Sequence, residues 1–564
     1  MARTVSIGVQ SFSKVRERNN FYVDKTDFIR QWWEAEDDVT LITRPRRFGK
    51  TINLSMLECF FSDAYAGRAD LFQGLRIWEK ESYRRIQGTY PVLFLSFAPV
   101  KMNTAEGAIG QIKNLIMDLY MQNIFLIKED FLEEGEKQLF SSVTFDMSDQ
   151  TAVDALHNLC KWLSRARGKR VILLLDEYDT PLQEAWVGGY WDEMTAFIRN
   201  LFNATFKTNP YLERAIMTGI TRVSKESIFS DLNNLNVVTT TGNQYADSFG
   251  FTEQEVFAAL DEVGLSQEKE KVKAWYDGFT FGHLTDIYNP WSITNFLKQN
   301  RYQTWWADSS SNSLVGKLIR EGTIEIKQDM ETLLNGGTIT THLDEQIVFS
   351  QLGKKKNAIW SLLLASGYLK IVSVLSGNGI KKDSYILSLT NYEVRLMFDS
   401  MIADWINNDE APGNLFLKGL LKGSLKEMNH YMNKIALNTI SYYDSGTHPS
   451  AYTEPERFYH GFVLGMLVEL RDTYEVLSNR ESGFGRYDVM LIPRDPAQAG
   501  KPAIVLEFKV YDPEEEKDLK DTVASALKQI TEMDYDAALV ERGFKKEEIR
   551  HYGFAFEGKK VLIG

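Results

Sequence analysis

A phosphate-binding pattern lies near the start of the chain. Residues 41–51 read LITRPRRFGKT and end in Gly49, Lys50 and Thr51. The apolar run VTLIT (39–43) precedes the turn and an amphipathic pattern follows it, so the sequence predicts a strand, a turn and a helix. In that context the helix N-terminus faces a phosphate, Lys50 reaches the β- and γ-phosphates of a nucleotide, and Thr51 binds Mg²⁺.

The first half of this turn departs from the usual pattern. Arg44 stands where such a loop has its first glycine, and Pro45 removes one backbone donor. An arginine there costs more than a glycine if the turn requires a positive φ. Arg46 and Arg47 return positive charge to the neighbourhood of a phosphate. The turn by itself leaves two interpretations, a nucleotide site or a basic turn before a buried helix.

Two adjacent carboxylates close a second motif. VILLLDEYD (171–179) is an apolar run that ends in Asp176 and Glu177. At the end of a central strand, Asp176 can hold Mg²⁺ through water and Glu177 can polarise an attacking water. Such a pair alone is often a solvated strand end, but together with Gly-Lys-Thr upstream it favours a nucleotide site. The two motifs are 176 − 50 = 126 residues apart, so we expect helices between them.

A third polar strand end follows in RAIMTGITRVSKESIFSDLNN (214–234). Thr218 or Thr221 can sense a γ-phosphate there. Arg222 either acts on the nucleotide, in cis or across the subunit interface of a homo-oligomer, or is simply a charged strand end. The sequence leaves these readings of Arg222 open.

The C-terminal part carries a separate group of charged residues. Asp488 begins one apolar run and Glu507 and Lys509 lie on the next, where a strand period of two places both on one face. If the two strands pair antiparallel, Asp488 lies beside Glu507 and provides two hard oxygen ligands for Mg²⁺. Lys509 can then orient or help to deprotonate a metal-bound water and stabilise a phosphorane-like charge.

Neighbouring segments add to this group. Glu456, on the predicted long helix of residues 452–470, is a third candidate carboxylate for the metal. Gln529, on a helix predicted over residues 521–535, is placed to contact the same water or a phosphate. Two glycines in GFGRYD (483–488) indicate that the backbone approaches something closely.

These motifs resemble a known family. YVDKTDFI (22–29), LITRPRRFGKT, LLLDEYD, the segment 214–234 and WYDGFTFG…IYNPWSI (275–293) resemble the AAA-ATPase-like proteins widespread in gut bacteria, nearly end to end. In that family the Arg-Pro-Arg-Arg-Phe-Gly-Lys-Thr loop is the usual form, so the resemblance implies ATP as the nucleotide, with Mg²⁺. It also implies that residues 275–293 belong to a helical lid, whose aromatic side chains we expect to form its core.

The C-terminal pattern, Asp then Glu-x-Lys after a gap, resembles the PD-(D/E)XK nuclease superfamily. Tyr487 replaces the proline of that name. The resemblance implies a metal-dependent phosphodiesterase acting on DNA or RNA. The alternative is a degenerate nuclease fold that binds a partner without cutting, in a protein that works as an ATP-dependent switch or scaffold.

The pattern of elements predicts an α/β protein in three parts. In residues 1–245, helical patterns alternate with apolar runs that lack alternating polar residues. This pattern is typical of a P-loop NTPase core, whose parallel sheet is covered by helices on both faces. Residues 246–445 are predicted to be a mostly helical lid and linker, which begins with a capping box at Thr252 and Glu255. Residues 446–564 are predicted to form a small α/β nuclease-like domain.

Composition narrows the class of protein further. The chain has 564 residues and a net charge of −13, which argues against a general nucleic-acid coat while leaving a local basic groove open. It has two cysteines, too few for a disulfide framework, and no apolar run of the roughly 18 residues that would cross a bilayer. The first residues lack the apolar core of a signal peptide. We therefore expect a cytoplasmic protein with no membrane partner.

Overall fold

The computed structural model describes residues 3–222, 228–229, 232–309, 313–320, 323–344, 356–376, 383–407, 413–439, 463–464, 466–467, 470, 473–482, 485–494, 501–557 and 560–564. The chain divides into two compact units, Met1–Leu318 with Thr338–Arg395, and Ile319–Gly337 with Leu396–Gly564. The domain boundaries predicted at residues 245 and 445 stay predictions.

The helices and strands of the first unit alternate along the chain. Its α-helices are α1 Phe12–Glu17, α2 Asp27–Glu34, α3 Lys50–Phe61, α4 Glu81–Ile86, α5 Ala105–Gln122, α6 Phe125–Lys128, α7 Glu134–Ser141, α8 Asp149–Arg167, α9 Thr180–Gly188, α10 Trp191–Phe206, α11 Glu253–Glu262, α12 Lys269–Tyr276, α13 Pro290–Gln299 and α16 Lys356–Ala365. Its strands are β1 Val39–Thr43, β2 Val92–Ser96, β3 Val171–Asp176, β4 Leu212–Gly219, β5 Leu235–Val238, β6 Phe251–Thr252, β7 Asp277–Phe281, β8 Leu284–Tyr288, β9 Ile339–Thr341, β10 Leu369–Leu375 and β11 Ser384–Leu389.

Helices α14 Ser313–Arg320 and α17 Tyr392–Asn407 each contain a boundary between the two units along the chain. Helix α15 Ile324–Leu334 belongs to the second unit. The remaining elements of the second unit are α18 Gly413–Lys422, α19 Leu425–Thr439, β12 Tyr474–Ser482, β13 Gly485–Pro493, β14 Ala503–Val510, α20 Leu519–Glu532, α21 Ala537–Glu541, β15 Ile549–Glu557 and β16 Lys560–Ile563. Short 3₁₀ helices occur at Asp63–Tyr65, Ala69–Leu71, Arg76–Glu79, Ser266–Glu268, Ala307–Ser309 and Lys546–Glu548.

A five-stranded parallel sheet in the order β2-β3-β4-β1-β5 forms the centre of the N-terminal region. Strands β1 and β3 are buried along their whole length, as expected for strands covered on both faces. Trp32 and Phe60, from the helices on one face, pack in one core with Ile172 and Ile216 from the sheet. This confirms the predicted α/β core, and it places the carboxyl ends of β1, β3 and β4 at one edge.

The segment that follows contains more strand than the sequence indicated. Helices predominate, and Thr252 and Glu255 form the predicted capping box. Two small antiparallel sheets, β6-β8-β7 and β10-β11-β9, are also present. Strands β6 and β9 have only two and three residues and β7 contains Gly278, so these three strands carry no clear period of two. The predicted aromatic core is confirmed at Tyr276 and Tyr288, which are fully buried.

A mixed five-stranded sheet in the order β12-β13-β14-β15-β16 forms the C-terminal region. The two predicted strands are its inner pair, β13 and β14, which run antiparallel, while β14 and β15 run parallel. The alternation along β14 directs Phe508 to the core on one face and Val505 to the core on the other. Helix α20, which was predicted over 521–535, packs on the second face through Ile530.

Within the described residues, no helix combines the length and apolarity that a bilayer crossing requires. Cys59 and Cys160 are both buried free thiols. Burial raises the pKa of each thiol to about 12, so neither is poised to act as a thiolate nucleophile.

Candidate functional site

The predicted phosphate loop joins the end of β1 to the start of α3. Gly49 caps the helix with a φ of 83°, a conformation that glycine adopts without steric cost. The other positive φ in the loop is at Arg47, at 61°, and none is at Arg44. The backbone at Arg44 therefore does not need a glycine, and the arginine at this position causes no strain in the loop.

Arg44 is a structural residue of this loop. Its side chain is fully buried, and it donates to the carbonyls of Thr43, Thr239 and Gln244 at 2.9, 2.8 and 3.2 Å. Its backbone N–H donates to the carbonyl of Gly219 at 3.1 Å. Burial lowers the pKa of this guanidinium to about 9. The arginine ties the loop to the ends of β4 and β5.

Lys50 spans its own loop. Its buried ammonium group donates to the carbonyl of Arg44 at 2.9 Å and to that of Pro45 at 2.8 Å. Burial lowers the pKa of Lys50, and the nearby carboxylates of Glu177 and Asp176 oppose that shift. The cation thus lies near the two acidic residues that were predicted to share its site.

The loop leaves a row of backbone donors available. Among the described residues, no acceptor pairs with the N–H groups of residues 46–49. Arg46 is half-buried, and its guanidinium has no hydrogen bond or ion pair within the described part of the chain. A turn at a helix N-terminus with such N–H groups, beside the cations Lys50 and Arg46, is an arrangement that suits a phosphate.

Arg47 is directed elsewhere. Its guanidinium lies 3.8 Å from the ring centroid of Trp291 and donates to the carbonyl of Ser309 at 3.1 Å. These contacts hold the loop against the segment that was predicted to be the lid. The structure thus separates the loop arginines: Arg44 is buried, Arg47 is engaged, and Arg46 is the one left to meet a ligand.

Asp176 at the end of β3 is held by two hydroxyl groups. Thr51 donates to one carboxylate oxygen at 2.7 Å and Thr218 to the other at 2.6 Å. The carboxylate is buried, and burial raises its pKa while both hydroxyl donors act in the opposite direction. The structure therefore brings together Thr51 and Asp176, the two predicted oxygen ligands of Mg²⁺, although they lie 125 positions apart.

Glu177 occupies an unusual backbone conformation. Its φ is 52°, in the left-handed region that a non-glycine residue adopts at a cost of about 1 kcal/mol. One carboxylate oxygen accepts a hydrogen bond from Thr180 at 3.2 Å. Glu177 is half-buried, unlike Asp176 before it and Tyr178 after it. The strand end thus presents one carboxylate of the pair to the site and buries the other.

Asp179 was not singled out from the sequence, although it closes the DEYD motif. Its buried carboxylate accepts the backbone N–H groups of Ile220 at 3.0 Å and Thr221 at 2.9 Å, and the hydroxyl of Thr221 at 3.0 Å. Thr221 is thereby committed to the turn after β4. A third acid in the motif was visible in the sequence, but the turn that it holds was not.

Arg222 follows this turn and lines a pocket at the carboxyl edge of the sheet. Thr43, Thr239, Thr240 and Ser361 line the same pocket. No hydrogen bond or ion pair joins Arg222 to the other residues that the structure describes. Its action on a nucleotide stays a prediction.

The C-terminal group of charged residues lies where β13 and β14 begin to separate. The pairing runs from Leu491 opposite Ile504 to Val489 opposite Leu506 and ends there. Asp488 is next in the first strand, and its carboxylate accepts the backbone N–H of Phe508 at 2.8 Å. The antiparallel pairing that was expected to bring Asp488 to Glu507 is present.

Glu507 is buried on the face of the sheet that α20 covers. Gln529 of α20 donates a hydrogen bond to its carboxylate and another to the hydroxyl of Tyr535 at 3.2 Å. Burial raises the pKa of Tyr535, and the nearby charges of Glu507 and Asp488 add to that shift. The predicted residues Glu507 and Gln529 are therefore joined by hydrogen bonds in a chain that also contains Tyr535. Asp488 lies near enough for its charge to raise the pKa of Tyr535.

Lys509 lies two positions after Glu507 and is half-buried. It makes no hydrogen bond or ion pair with the other described residues. The close approach expected at the glycines is explained in part by the residues that follow α20: a Cβ on Gly485 would lie 3.2 Å from the ring of Tyr535. Glu456, the third candidate carboxylate, lies outside the described residues, as does most of the helix predicted over 452–470.

In the part of the chain that the structure describes, no three side chains of His, Cys, Asp or Glu are grouped to hold a metal ion. Magnesium sites that act on phosphates need fewer protein ligands, because water and the substrate complete the shell. Thr51 with Asp176, and Asp488 with Glu507, each provide hard oxygen donors of that kind.

Two protein-family models match parts of the chain. Residues 6–229 match the family model described as "Predicted AAA-ATPase", and residues 454–564 match that of the PD-(D/E)XK nuclease superfamily. The chain thus combines an AAA-ATPase-like domain with a PD-(D/E)XK nuclease superfamily domain, as its motifs predicted.

One curated relative covers part of the chain. The "Uncharacterized protein in vnfD 5'region" of Azotobacter chroococcum mcd 1 is 27% identical over 321 residues. The match spans 57% of this chain and 56% of the relative, so this chain covers little more than half of that protein.

Proposed function

We propose that the N-terminal site binds ATP with Mg²⁺ and hydrolyses it. The observation that carries the proposal is the loop of residues 46–49, whose N–H groups have no acceptor among the described residues, next to Lys50 and the uncommitted Arg46. A triphosphate would supply charged acceptors to these N–H groups, and hydrogen bonds to a charged acceptor are stronger than those between neutral groups. The AAA-ATPase-like match supports ATP as the nucleotide.

The residues present fit a magnesium ion beside the phosphates. Thr51 and Asp176 are already joined through oxygen atoms 2.7 Å apart, and both are hard donors. Mg²⁺ would neutralise charge on the β- and γ-phosphates. Thr218, which donates to the other oxygen of Asp176, would keep this carboxylate oriented.

Glu177 is the residue best placed to act on the attacking water. It would accept the proton of that water as oxygen attacks the γ-phosphorus, and the bond from the γ-phosphorus to the bridging oxygen would break to give ADP and phosphate. Lys50 and Arg46 would stabilise the charge on the phosphate oxygens. The left-handed backbone at Glu177 supports this assignment, since strain of this kind concentrates at functional sites.

The test is calorimetric titration of the protein with ATP and Mg²⁺, compared with the Lys50→Ala variant. The loss of one charge-assisted contact predicts weaker binding by about 2–3 kcal/mol. Lys14→Ala, which removes an exposed lysine of α1, is the matched control. Equal affinity for ATP in the Lys50 variant and in the control would show that this loop does not bind ATP.

A second function is supported by a separate observation. Glu507, Gln529 and Tyr535 are joined by hydrogen bonds, and Asp488 lies near enough for its charge to raise the pKa of Tyr535. Lys509 follows Glu507 by two positions on β14, in a domain of the PD-(D/E)XK superfamily. We propose that this group is a metal-dependent phosphodiesterase site for DNA or RNA. The metal would polarise the scissile phosphate, Lys509 would stabilise its developing charge, and Gln529 would orient Glu507.

The competing possibility is that this domain binds a partner without cutting, with ATP as the switch. Incubation of the protein with Mg²⁺ or Mn²⁺ and single- or double-stranded DNA and RNA, with and without ATP, distinguishes the two. Cleavage that is lost in Glu507→Ala supports the phosphodiesterase. A protein that cuts none of these substrates under any nucleotide condition supports the binding function.

A further inference from the structure

Three successive carbonyl groups of the phosphate loop are each held by a donor. The ammonium group of Lys50 donates to the carbonyls of Arg44 and Pro45. The third, that of Arg46, accepts the indole N–H of Trp306 at 2.9 Å and the side-chain amide of Asn289 at 3.3 Å. The loop is therefore fixed from inside by its own lysine and from outside by two residues more than 240 positions away.

The carbonyl of Arg46 belongs to the same planar peptide unit as the N–H of Arg47. In a trans peptide the two bonds point in opposite directions, so a donor that holds the carbonyl also sets where the N–H points. The N–H of Arg47 is one of the loop donors without an acceptor among the described residues. Trp306 and Asn289 thus orient one of the groups that would meet a phosphate.

Trp306 is itself held by a buried glutamate. The carboxylate of Glu393 accepts the backbone N–H of Trp306 at 2.6 Å, that of Ala307 at 3.4 Å, and the hydroxyl of Ser292 at 2.9 Å. Glu393 and Ser292 are completely buried, and Trp306 is 4% exposed. No cation pairs with Glu393 among the described residues, so these three hydrogen bonds stabilise its carboxylate.

We propose that Glu393 is a positioning residue for the phosphate loop, acting through Trp306 on the carbonyl of Arg46, and this rests on the proposed nucleotide function. A buried carboxylate is a costly way to hold a turn if packing is all that is needed. By holding the backbone of Trp306, the carboxylate of Glu393 keeps the indole N–H of that residue within hydrogen-bond reach of the loop.

The test uses two neighbouring tryptophans. Trp306→Phe keeps a buried ring but removes the bond to Arg46. Trp305→Phe is the matched control, because the indole of Trp305 donates to the carbonyl of Arg301 at 3.3 Å and not to the loop. Affinity for a fluorescent ATP analogue with Mg²⁺ is measured for both variants, alongside thermal unfolding without nucleotide.

We expect Trp306→Phe to weaken binding about fivefold, as for one neutral hydrogen bond, and Trp305→Phe to bind as the parent does. Glu393→Gln, whose amide oxygen still accepts from Trp306, should bind ATP within about twofold of the parent, whereas Glu393→Ala should bind more weakly than Trp306→Phe. Parent-like affinity in Trp306→Phe, or loss of affinity in Glu393→Gln equal to that in Glu393→Ala, would overturn the inference. A parent protein that binds no ATP would instead remove the proposed function together with it.

Discussion

The two candidate sites assemble their charged groups by different routes. In the N-terminal site, Lys50, Asp176 and Thr218 come from three separate segments and meet at the carboxyl edge of a parallel sheet. In the C-terminal site, Asp488 and Glu507 lie on consecutive strands, only 507 − 488 = 19 positions apart. Parallel strands require long crossovers, whereas antiparallel neighbours need only a turn.

The difference also appears in how the side chains are used. Most charged groups of the N-terminal site are already committed to the protein: Arg44 to carbonyls, Asp176 to hydroxyls and Asp179 to a turn. Arg46 and Glu177 stand out because they are half-buried and lightly held. In the C-terminal site Lys509 has the corresponding position. We therefore expect that Arg44 and Asp179 shape the N-terminal site and that Arg46 and Glu177 meet the nucleotide, and the following experiments test that division.

The largest effect is expected for Glu177→Gln. Loss of the proton acceptor should reduce ATP hydrolysis about a hundredfold or more, while ATP affinity changes little because the charge of Lys50 remains. Phosphate release and calorimetric binding are measured together. Glu184→Gln on α9 serves as the control. Hydrolysis at the parent rate in the Glu177 variant would mean that the strained carboxylate is only part of the strand end.

At the C-terminal site, Lys509→Ala should reduce metal-dependent cleavage of nucleic acid by about a hundredfold, the size of effect seen when one charge-stabilising donor is removed. Lys528→Ala, an exposed lysine next to Gln529, should leave cleavage unchanged. Gel-based cleavage with Mn²⁺ or Mg²⁺ provides the readout. Cleavage that persists in both Lys509→Ala and Glu507→Ala would assign the activity to another site.

The loop arginines should separate stability from binding. Arg44→Met leaves three carbonyls without their donor and should lower the free energy of unfolding by about 2–4 kcal/mol. Arg46→Met should leave stability within about 0.5 kcal/mol and weaken ATP binding about tenfold. Urea unfolding and ATP titration of both variants check this. If Arg46→Met unfolds as easily as Arg44→Met, the division between the two residues is wrong.

The smallest effect concerns pH. Burial raises the pKa of Glu393 from 4.5 to about 7, so the folded protein holds this proton more tightly than the unfolded chain does. The contribution of Glu393 to stability is therefore greatest below pH 4.5 and is lost as the pH rises to about 7, a change of about 1–3 kcal/mol. Unfolding measured from pH 5 to 8 should show a smaller decline in Glu393→Gln than in the parent. An identical decline in both proteins would contradict this.

The sequence predicted the local parts of each site well. The strand, loop and helix around Lys50 follow from an apolar run, a turn and an amphipathic pattern. The shared face of Glu507 and Lys509 follows from the period of two along a strand, and the antiparallel pairing with the strand of Asp488 follows from the short connection. These features depend on neighbours along the chain, so the sequence alone determines them.

The tertiary structure decided which side chains those local parts would meet. The burial of Arg44 against the ends of β4 and β5 and the path from Glu393 through Trp306 to Arg46 join segments that are 87 or more positions apart. Their residue types are common, and no period or spacing marks them as partners. Only the packing of the sheet and of the segment after it brings these donors within reach of their acceptors.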